Sequence, residues 1–362
     1  MIEWLESLSP WPEEFGLGRI LALLAELGEP QRAYRAVHVV GTNGKSTATR
    51  RAAAFLAREG LGVGAYTSPH VTGWSERVQV DGDDADLEAA LARVRPASER
   101  LGATQFEALT AAALAEFAAA AVDAAVVEAG LGGRLDATNV LDAEVVALTN
   151  VALDHTEVLG ETREAIAAEK LAVVAPGATV VLGEPEWEPL ARAHGAGRVV
   201  HARDVGRAAA EALLGRMLEG EVDAALPGRF ELVGEDVFSG AHNPAGVQWL
   251  LARLPRRDYV VVASILADKD ADAMLGLLAQ AGRTLVATAS HSARALPAEE
   301  LARRAAPLFA EVEAVGDPAA ALTRARELGG DDGAVLVTGS LYLLADLTVR
   351  LQGVPWGSSA SA

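Results

Sequence analysis

Hydrophobic and polar positions along the chain follow two patterns. Short unbroken runs of β-branched and small apolar residues alternate with longer Ala/Leu-rich stretches that carry charges on one side. Runs too apolar to alternate suit strands buried on both faces, and the longer stretches suit crossover helices, so the pattern predicts an α/β chain with parallel sheets. In the first part the predicted strands are 37–40, 62–67, 76–80, 124–130, 143–150 and 179–183, and the predicted helices are 48–59, 84–101, 105–121 and 163–175. Thr104 and Glu107 have capping-box spacing at the start of the third helix. From 183 to about 226 no clear pattern emerges. After Leu226-Pro227-Gly228-Arg229, read as a hinge, a second α/β series begins, with strands near 230–239, 259–263, 284–288 and 334–338 and helices near 244–253, 270–281, 297–305, 318–328 and 341–351. The expected domains are 1–226 and 227–356, followed by a small-residue tail, GSSASA at 357–362, expected to be disordered.

Composition narrows the range of partners. With 50 acidic and 31 basic residues among 362, the net charge is −19, which opposes binding to nucleic acid or anionic lipid through a general field. An anionic ligand must therefore be met by local cations, metal ions or helix dipoles. The absence of cysteine excludes disulfides and thiolate metal sites. The opening MIEWLESLSPWPEEF is acidic and broken by proline, unlike a signal peptide, and no apolar run approaches the roughly 20 residues of a membrane span. The expectation is a cytoplasmic chain with small-molecule partners, no membrane and no nucleic acid.

The chemistry begins where the run Val37 to Val40 empties into Gly41-Thr42-Asn43-Gly44-Lys45-Ser46-Thr47 and then into a helix. Glycines let backbone N–H groups converge on an anion, the helix start adds its positive dipole end, and Lys45 reaches the β- and γ-phosphates while a following hydroxyl faces Mg²⁺. The expected ligand is ATP. Further polar groups stand at predicted strand ends on the same sheet edge: Ser68 after the second strand, Glu128 before Gly130-Leu131-Gly132-Gly133, and Asp154-His155 after the strand ending in Asn150. A hydroxyl, a carboxylate and an imidazole around a triphosphate suit Mg²⁺. Taken singly, His155 reads more readily as a helix-capping or core histidine than as a ligand. Glu128 is harder to dismiss, because a carboxylate in an apolar strand is costly unless paired or metal-bound.

GTNGKST (41–47), YTSPHVTGWSERVQVDG (66–82), TQFEALTAAAL (104–114), VVEAGLGGRLDATNV (126–140) and TNVALDHTEVLGETREAIAAEKLAVV (149–174) resemble, in order, segments of the dihydrofolate synthase/folylpolyglutamate synthase family, relatives of the Mur peptide ligases. LPGRFE (226–231), GAHNP (240–244), ILADKD (265–270), RALPAEEL (294–301) and VTGSLYLLADL (337–347) extend the resemblance through the second half. It implies a Mur-ligase-like fold, a P-loop ATP-binding domain followed by a Rossmann-like domain. It also implies a monomeric ligase that joins L-glutamate to dihydropteroate or reduced folates through an acyl phosphate.

Residue by residue, the resemblance assigns Lys45 to the ATP phosphates, Ser68 and Glu128 to one Mg²⁺, and His155 with Glu128 to a second. Lys170 matches a lysine that family members carbamylate; a carbamate is an anion that nearby metals stabilise. Phe106, Asp136 and Ala137 match residues that hold the pterin ring. Arg77, Arg229, His242 and Ser340 match residues facing ATP, acyl phosphate or glutamate, and Asn243 joins the nucleotide set. The chain departs from the family at Ser46, where a glycine is usual, leaving either Ser46 or Thr47 to face the metal. It departs again at Ser239, where Asp is usual, and in the short 183–226 stretch. There Arg207-Ala208-Ala209 stands where an Asn-Ala-Ala is expected. A relative acting on another carboxylate, or a nucleotide-binding paralogue without ligase activity, is the alternative.

Overall fold

The computed structural model describes residues 1–224, 226–330 and 333–350. The expected tail at 357–362 and the domain end at 356 lie outside them. Contacts divide the chain into two compact units. One holds Met1–Pro69 with Trp74–Leu226, and the other holds His70–Gly73 with the described residues from Pro227 on.

The first unit carries strands β1 (Arg35–Val40), β2 (Val63–Tyr66), β3 (Val78–Val80), β4 (Asp83–Asp84), β5 (Ala124–Glu128), β6 (Val145–Leu148), β7 (Thr179–Leu182) and β8 (Arg198–His201). Their order in the sheet is β4-β3-β2-β5-β1-β6-β7-β8, with only β3 and β4 antiparallel to their neighbours. Central strands are largely apolar because helices cover both faces, with His38 in β1 and Glu128 at the end of β5 as buried polar exceptions. On one face Val37 and Val39 pack with Phe55 and Leu56 of helix Lys45–Arg58 and Ala209 and Leu213 of helix Val205–Leu214. On the other, helix Gln105–Ala119 covers Val127, while helix Arg163–Leu171 covers Val40 and Leu148. β1 lies between β5 and β6, and the chain leaves it toward β2 on one side and continues past β6 on the other, so the edge above β1 is a topological switch point.

The second unit has β9 (Arg229–Val233), β10 (Asp236–Ser239), β11 (Val260–Ala263), β12 (Thr284–Ala287), β13 (Glu311–Ala314) and β14 (Val335–Thr338), ordered β13-β12-β11-β14-β10-β9 with β9 alone antiparallel. The single strand expected near 230–239 is a hairpin, and β8, β13 and helices Ile2–Ser7, Gly18–Glu26, Glu188–Ala193 and Val205–Leu214 stand where none was predicted. Val71, from the loop after β2, belongs to this unit's core with Phe238, Leu341 and Leu344.

Candidate active site

The phosphate loop is built against the end of β6. Gly41 has φ 145°, and a Cβ there would stand 1.9 Å from Thr149 Oγ1. Thr42 N–H donates to the Asn150 carbonyl at 2.9 Å, and Asn43 N–H to Asn150 Oδ1 at 2.9 Å. Thr42 Oγ1 accepts from Ala152 N–H at 3.0 Å. Gly44, in the left-handed region at φ 79°, caps the helix Lys45–Arg58 with no side-chain bond; a helix start is where backbone N–H groups and the positive dipole end favour an anion. Lys45 Nζ donates to the Thr42 carbonyl at 3.3 Å and stands 3.9 Å from Glu128 Oε1.

Glu128, 1% exposed at the end of β5, gathers its neighbours. Ser46 Oγ donates to Oε1 at 3.1 Å, and Ser68 N–H donates to Oε2 at 3.1 Å. Lys45, Ser46, Ser68 and Glu128 are thus brought together, and of the two hydroxyls left open by the sequence the Ser46 hydroxyl is the one hydrogen-bonded to this carboxylate; Thr47 is half-buried in the first turn. Among the described residues no trio of His, Cys, Asp and Glu forms a closed metal cage. A buried carboxylate ringed by hydroxyl and phosphate-loop groups instead fits a hard divalent ion that keeps water and phosphate oxygens in its shell. His155 caps the short helix Thr156–Leu159 from the left-handed region at φ 50°, with Nε2 3.9 Å from Asp154 Oδ1.

Lys170 lies in helix Arg163–Leu171 and is 4% exposed. Burial first, and the charge of Lys45 second, push its ammonium down to about 7, against the pull of Asp154, Asp136 and Glu169. Gly133 explains how the helix comes so close: a Cβ there would meet the Glu169 and Lys170 carbonyl oxygens at 2.7 Å. Arg134 N–H bonds the Glu169 carbonyl at 3.1 Å.

Phe106 follows the capping box at Thr104, both halves of which form. Its ring lies on Gly130, where a Cβ would be 2.5 Å from Cζ, and 6.1 Å from the Tyr66 ring. Asp136 is 6% exposed and Ala137 8%. Asp136 Oδ2 accepts from Leu131 N–H at 2.7 Å, and Oδ1 from Thr138 N–H at 3.0 Å and Thr138 Oγ at 2.5 Å. Burial nevertheless raises its pKa. The Arg77 guanidinium lies over Trp74, 4.5 Å from the ring centroid.

In the second unit, Arg229 opens β9 as the register partner of Ser239, at a bulge between Phe238 and Ser239. His242 Nδ1 meets the Gly240 carbonyl at 2.9 Å; a carbonyl only accepts, so Nδ1 carries a proton. Asn243 Oδ1 caps helix Pro244–Leu251 by accepting Gly246 N–H at 2.8 Å. Ser340, 1% exposed after β14, accepts Tyr342 N–H at 3.1 Å. β10 and β14 pair in parallel, so His242, Asn243 and Ser340 follow neighbouring strand ends. Arg207, in helix Val205–Leu214, pairs with Glu211 at 3.0 Å and lies over Phe55.

Sequence reasoning passed over Asn150 and Thr42 as loop-closing groups, and over His38 and Thr138. A polar residue at a strand end, or one imidazole inside a run of valines, was the available signal.

Residues 39–183 match the Mur ligase middle domain, and 228–341 the Mur ligase glutamate ligase domain. The dihydrofolate synthase/folylpolyglutamate synthase of Escherichia coli K12 is 33% identical over 321 residues, covering 74% of this chain and 76% of that protein. A probable bifunctional folylpolyglutamate synthase/dihydropteroate synthase of Haloferax volcanii is 33% identical over 419 residues, covering 95% of this chain; the chain spans about half (49%) of that relative's length. Among solved structures, E. coli FolC in complex with DHPP and ADP superposes with TM-score 0.88 at 29% identity over 97% of each chain. The bifunctional folylpolyglutamate synthase/dihydrofolate synthase of Yersinia pestis with AMPPNP and Mn ion gives 0.84 at 28% identity, again over 97% of each chain.

Proposed function

The chain belongs to the dihydrofolate synthase/folylpolyglutamate synthase family of Mur-type ligases, and from that premise we propose that it is an ATP-dependent ligase adding L-glutamate to dihydropteroate, to reduced folates, or to both. The observation that carries the reading is the meeting of Lys45, Ser46 and Ser68 on the buried Glu128 carboxylate at the edge above β1. A triphosphate on the loop amides would there find a point charge and a metal-binding oxygen within one side-chain length.

The chemistry runs in two balanced steps. The acceptor carboxylate attacks the γ-phosphorus, giving an acyl phosphate and ADP; the glutamate amine then attacks the acyl carbon, phosphate leaves and the amide remains. Loop N–H groups and Lys45 offset charge on the transferring phosphoryl group. Glu128 with Ser68 and a loop hydroxyl would hold one Mg²⁺, and Glu128 with His155 a second; the ions neutralise phosphoryl oxygens when bound. Glutamate arrives as an ammonium and must shed a proton, and the His242 imidazole is the group assigned to take it. Arg77, Arg229, Asn243 and Ser340 serve the nucleotide, acyl phosphate and glutamate, and Phe106, Asp136 and Ala137 the pterin.

Lys170 enters as a carbamate. An amine whose pKa is pushed down to about 7 is substantially neutral at physiological pH; it adds to CO₂, forming an N–C bond and releasing one proton, and the product is an anion. Labelling with ¹³CO₂ is expected to give a carbamate resonance absent from Lys170→Ala, and no resonance in the active enzyme would remove this step. The activity is tested by ADP release with ATP, glutamate and either dihydropteroate or tetrahydrofolate. Release requiring all three substrates, with product heavier by one glutamyl group, is the expected result; ATP hydrolysis indifferent to glutamate would overturn the reading. The reading also has the enzyme act as a cytoplasmic monomer, and a dimer mass in light scattering would overturn that part.

A further inference from the structure

His38 is the one imidazole in a strand of valines, 1% exposed, and the ligation chemistry gives it no task. Its Nε2 lies 2.8 Å from Thr138 Oγ1, on a residue 0% exposed and 100 positions away in sequence. The Thr138 hydroxyl has a single proton, and it goes to Asp136 Oδ1 at 2.5 Å. The threonine oxygen therefore accepts from His38, which is neutral and protonated on Nε2. Burial agrees, pushing the imidazole down to about 4. The result is a chain of donors pointing one way, from the core strand through the hydroxyl to the carboxylate, each bond polarising the next.

We propose that His38 and Thr138 are positioning residues for the pterin end of the acceptor, fixing the carboxylate of Asp136 and the backbone of Ala137 from beneath while touching no substrate themselves. The proposal rests on the reading of Phe106, Asp136 and Ala137 as the pterin contacts. The loop alone supplies Asp136 with backbone donors from Leu131 and Thr138. Those bonds move with the loop, whereas His38 belongs to β1, paired on both sides with β5 and β6. Anchoring Thr138 to that strand ties the pterin loop to a central strand hydrogen-bonded on both edges, three residues before Gly41 of the phosphate loop. A purely structural pair would support stability without distinguishing one substrate from another.

The test compares wild type with His38→Val, His38→Gln, Thr138→Val and Asp136→Asn, measuring kcat, KM for dihydropteroate and for ATP, and melting temperature. His38→Val and Thr138→Val should each raise KM for dihydropteroate about tenfold while KM for ATP stays within about twofold. His38→Gln, which keeps a donor near the Nε2 position, should recover most of the loss. The double variant His38→Val with Thr138→Val should be no worse than Thr138→Val alone, because both break one relay. Lowered melting temperature with no KM split, equal rises in both KM values, or Gln behaving as Val would overturn the proposal. If Asp136→Asn raises KM for dihydropteroate and the His38 and Thr138 variants do not, the relay alone falls. If Asp136→Asn also leaves it unchanged, the pterin assignment falls and the relay with it.

Discussion

Glu128 and His38 are both buried polar residues in apolar strands, and their environments ask opposite things of them. Glu128 faces Lys45 at 3.9 Å and accepts from Ser46 Oγ and Ser68 N–H, three groups that suit a carboxylate. Glu128→Gln keeps shape and some hydrogen bonding but removes the charge; kcat/KM should fall about a hundredfold or more, and Mn²⁺ binding with nucleotide, read by electron paramagnetic resonance, should weaken in parallel. Near-normal rates across a Mg²⁺ titration would show that no metal uses this carboxylate. His38 is held neutral, with its pKa down at about 4. The unfolded chain takes up this proton near pH 6.5 and the native chain only near 4, so on acidification the unfolded state gains protons first and stability falls across that window. The loss is on the order of 3 kcal/mol for this group. Asp136, raised by burial, titrates with the opposite sign, so the clean comparison is wild type with His38→Gln. The variant should lose less melting temperature between pH 6.5 and 4, and identical profiles would mean that His38 does not stay neutral. The phosphate loop was legible in the sequence because its logic is local, whereas the partner of His38 lies 100 residues on and neither residue marks the other.

At the scale of elements, continuous apolar runs located the central strands and failed at the margins. β8 and β13 are edge strands, RVVH and EVEA, with polar residues and partly exposed positions, so the signal of double-sided burial is absent. The hairpin of β9 and β10 read as one strand because its turn, Gly234-Glu235, is short and lies within one β-like stretch. Capping chemistry was legible where two residues at fixed spacing satisfy each other, as at Thr104 and Glu107. Close approach was not: the motif Gly130-Leu131-Gly132-Gly133 does not say which glycine faces backbone. Gly133 does, and Gly133→Ala would push a methyl into the Glu169 and Lys170 carbonyl oxygens, which cannot swing aside. It should destabilise by about 1–3 kcal/mol and displace the helix carrying Lys170, so activity should fall by more than the loss of stability explains. Gly132→Ala is the control, meeting the movable Leu159 side chain at 2.8 Å but strained at φ 71°. Its cost should be mainly stability, about 1 kcal/mol or more. Equal kcat in both folded variants would separate Gly133 from the placement of Lys170.

For the molecule as a whole, the decisive quantity is a net charge of −19 in a protein proposed to bind ATP, glutamate and a folate, all anions. The surface field repels these substrates, and local groups must overcome it: Lys45, the loop amides and bound metal on one side of the balance, 50 acidic residues on the other. The two contributions respond differently to salt. Exposed charges are screened over about 10 Å at 0.1 M, while a cation such as Lys45, with 17% of its side chain exposed, is screened much less. Raising KCl from about 20 to about 200 mM should therefore weaken repulsion faster than attraction, and KM for the Mg²⁺ complex of ATP should stay level or fall by up to about threefold. A basic protein shows the reverse, a steep rise as screening removes its attraction. The measurement is KM for ATP against ionic strength at fixed free Mg²⁺, with Lys45→Ala for comparison. In that variant the local attraction is gone and the repulsive field remains, so its weakened binding should improve with salt more than the wild type's. A steep rise of wild-type KM with salt would place the binding energy in exposed cations, and the buried phosphate-loop account of affinity would fail.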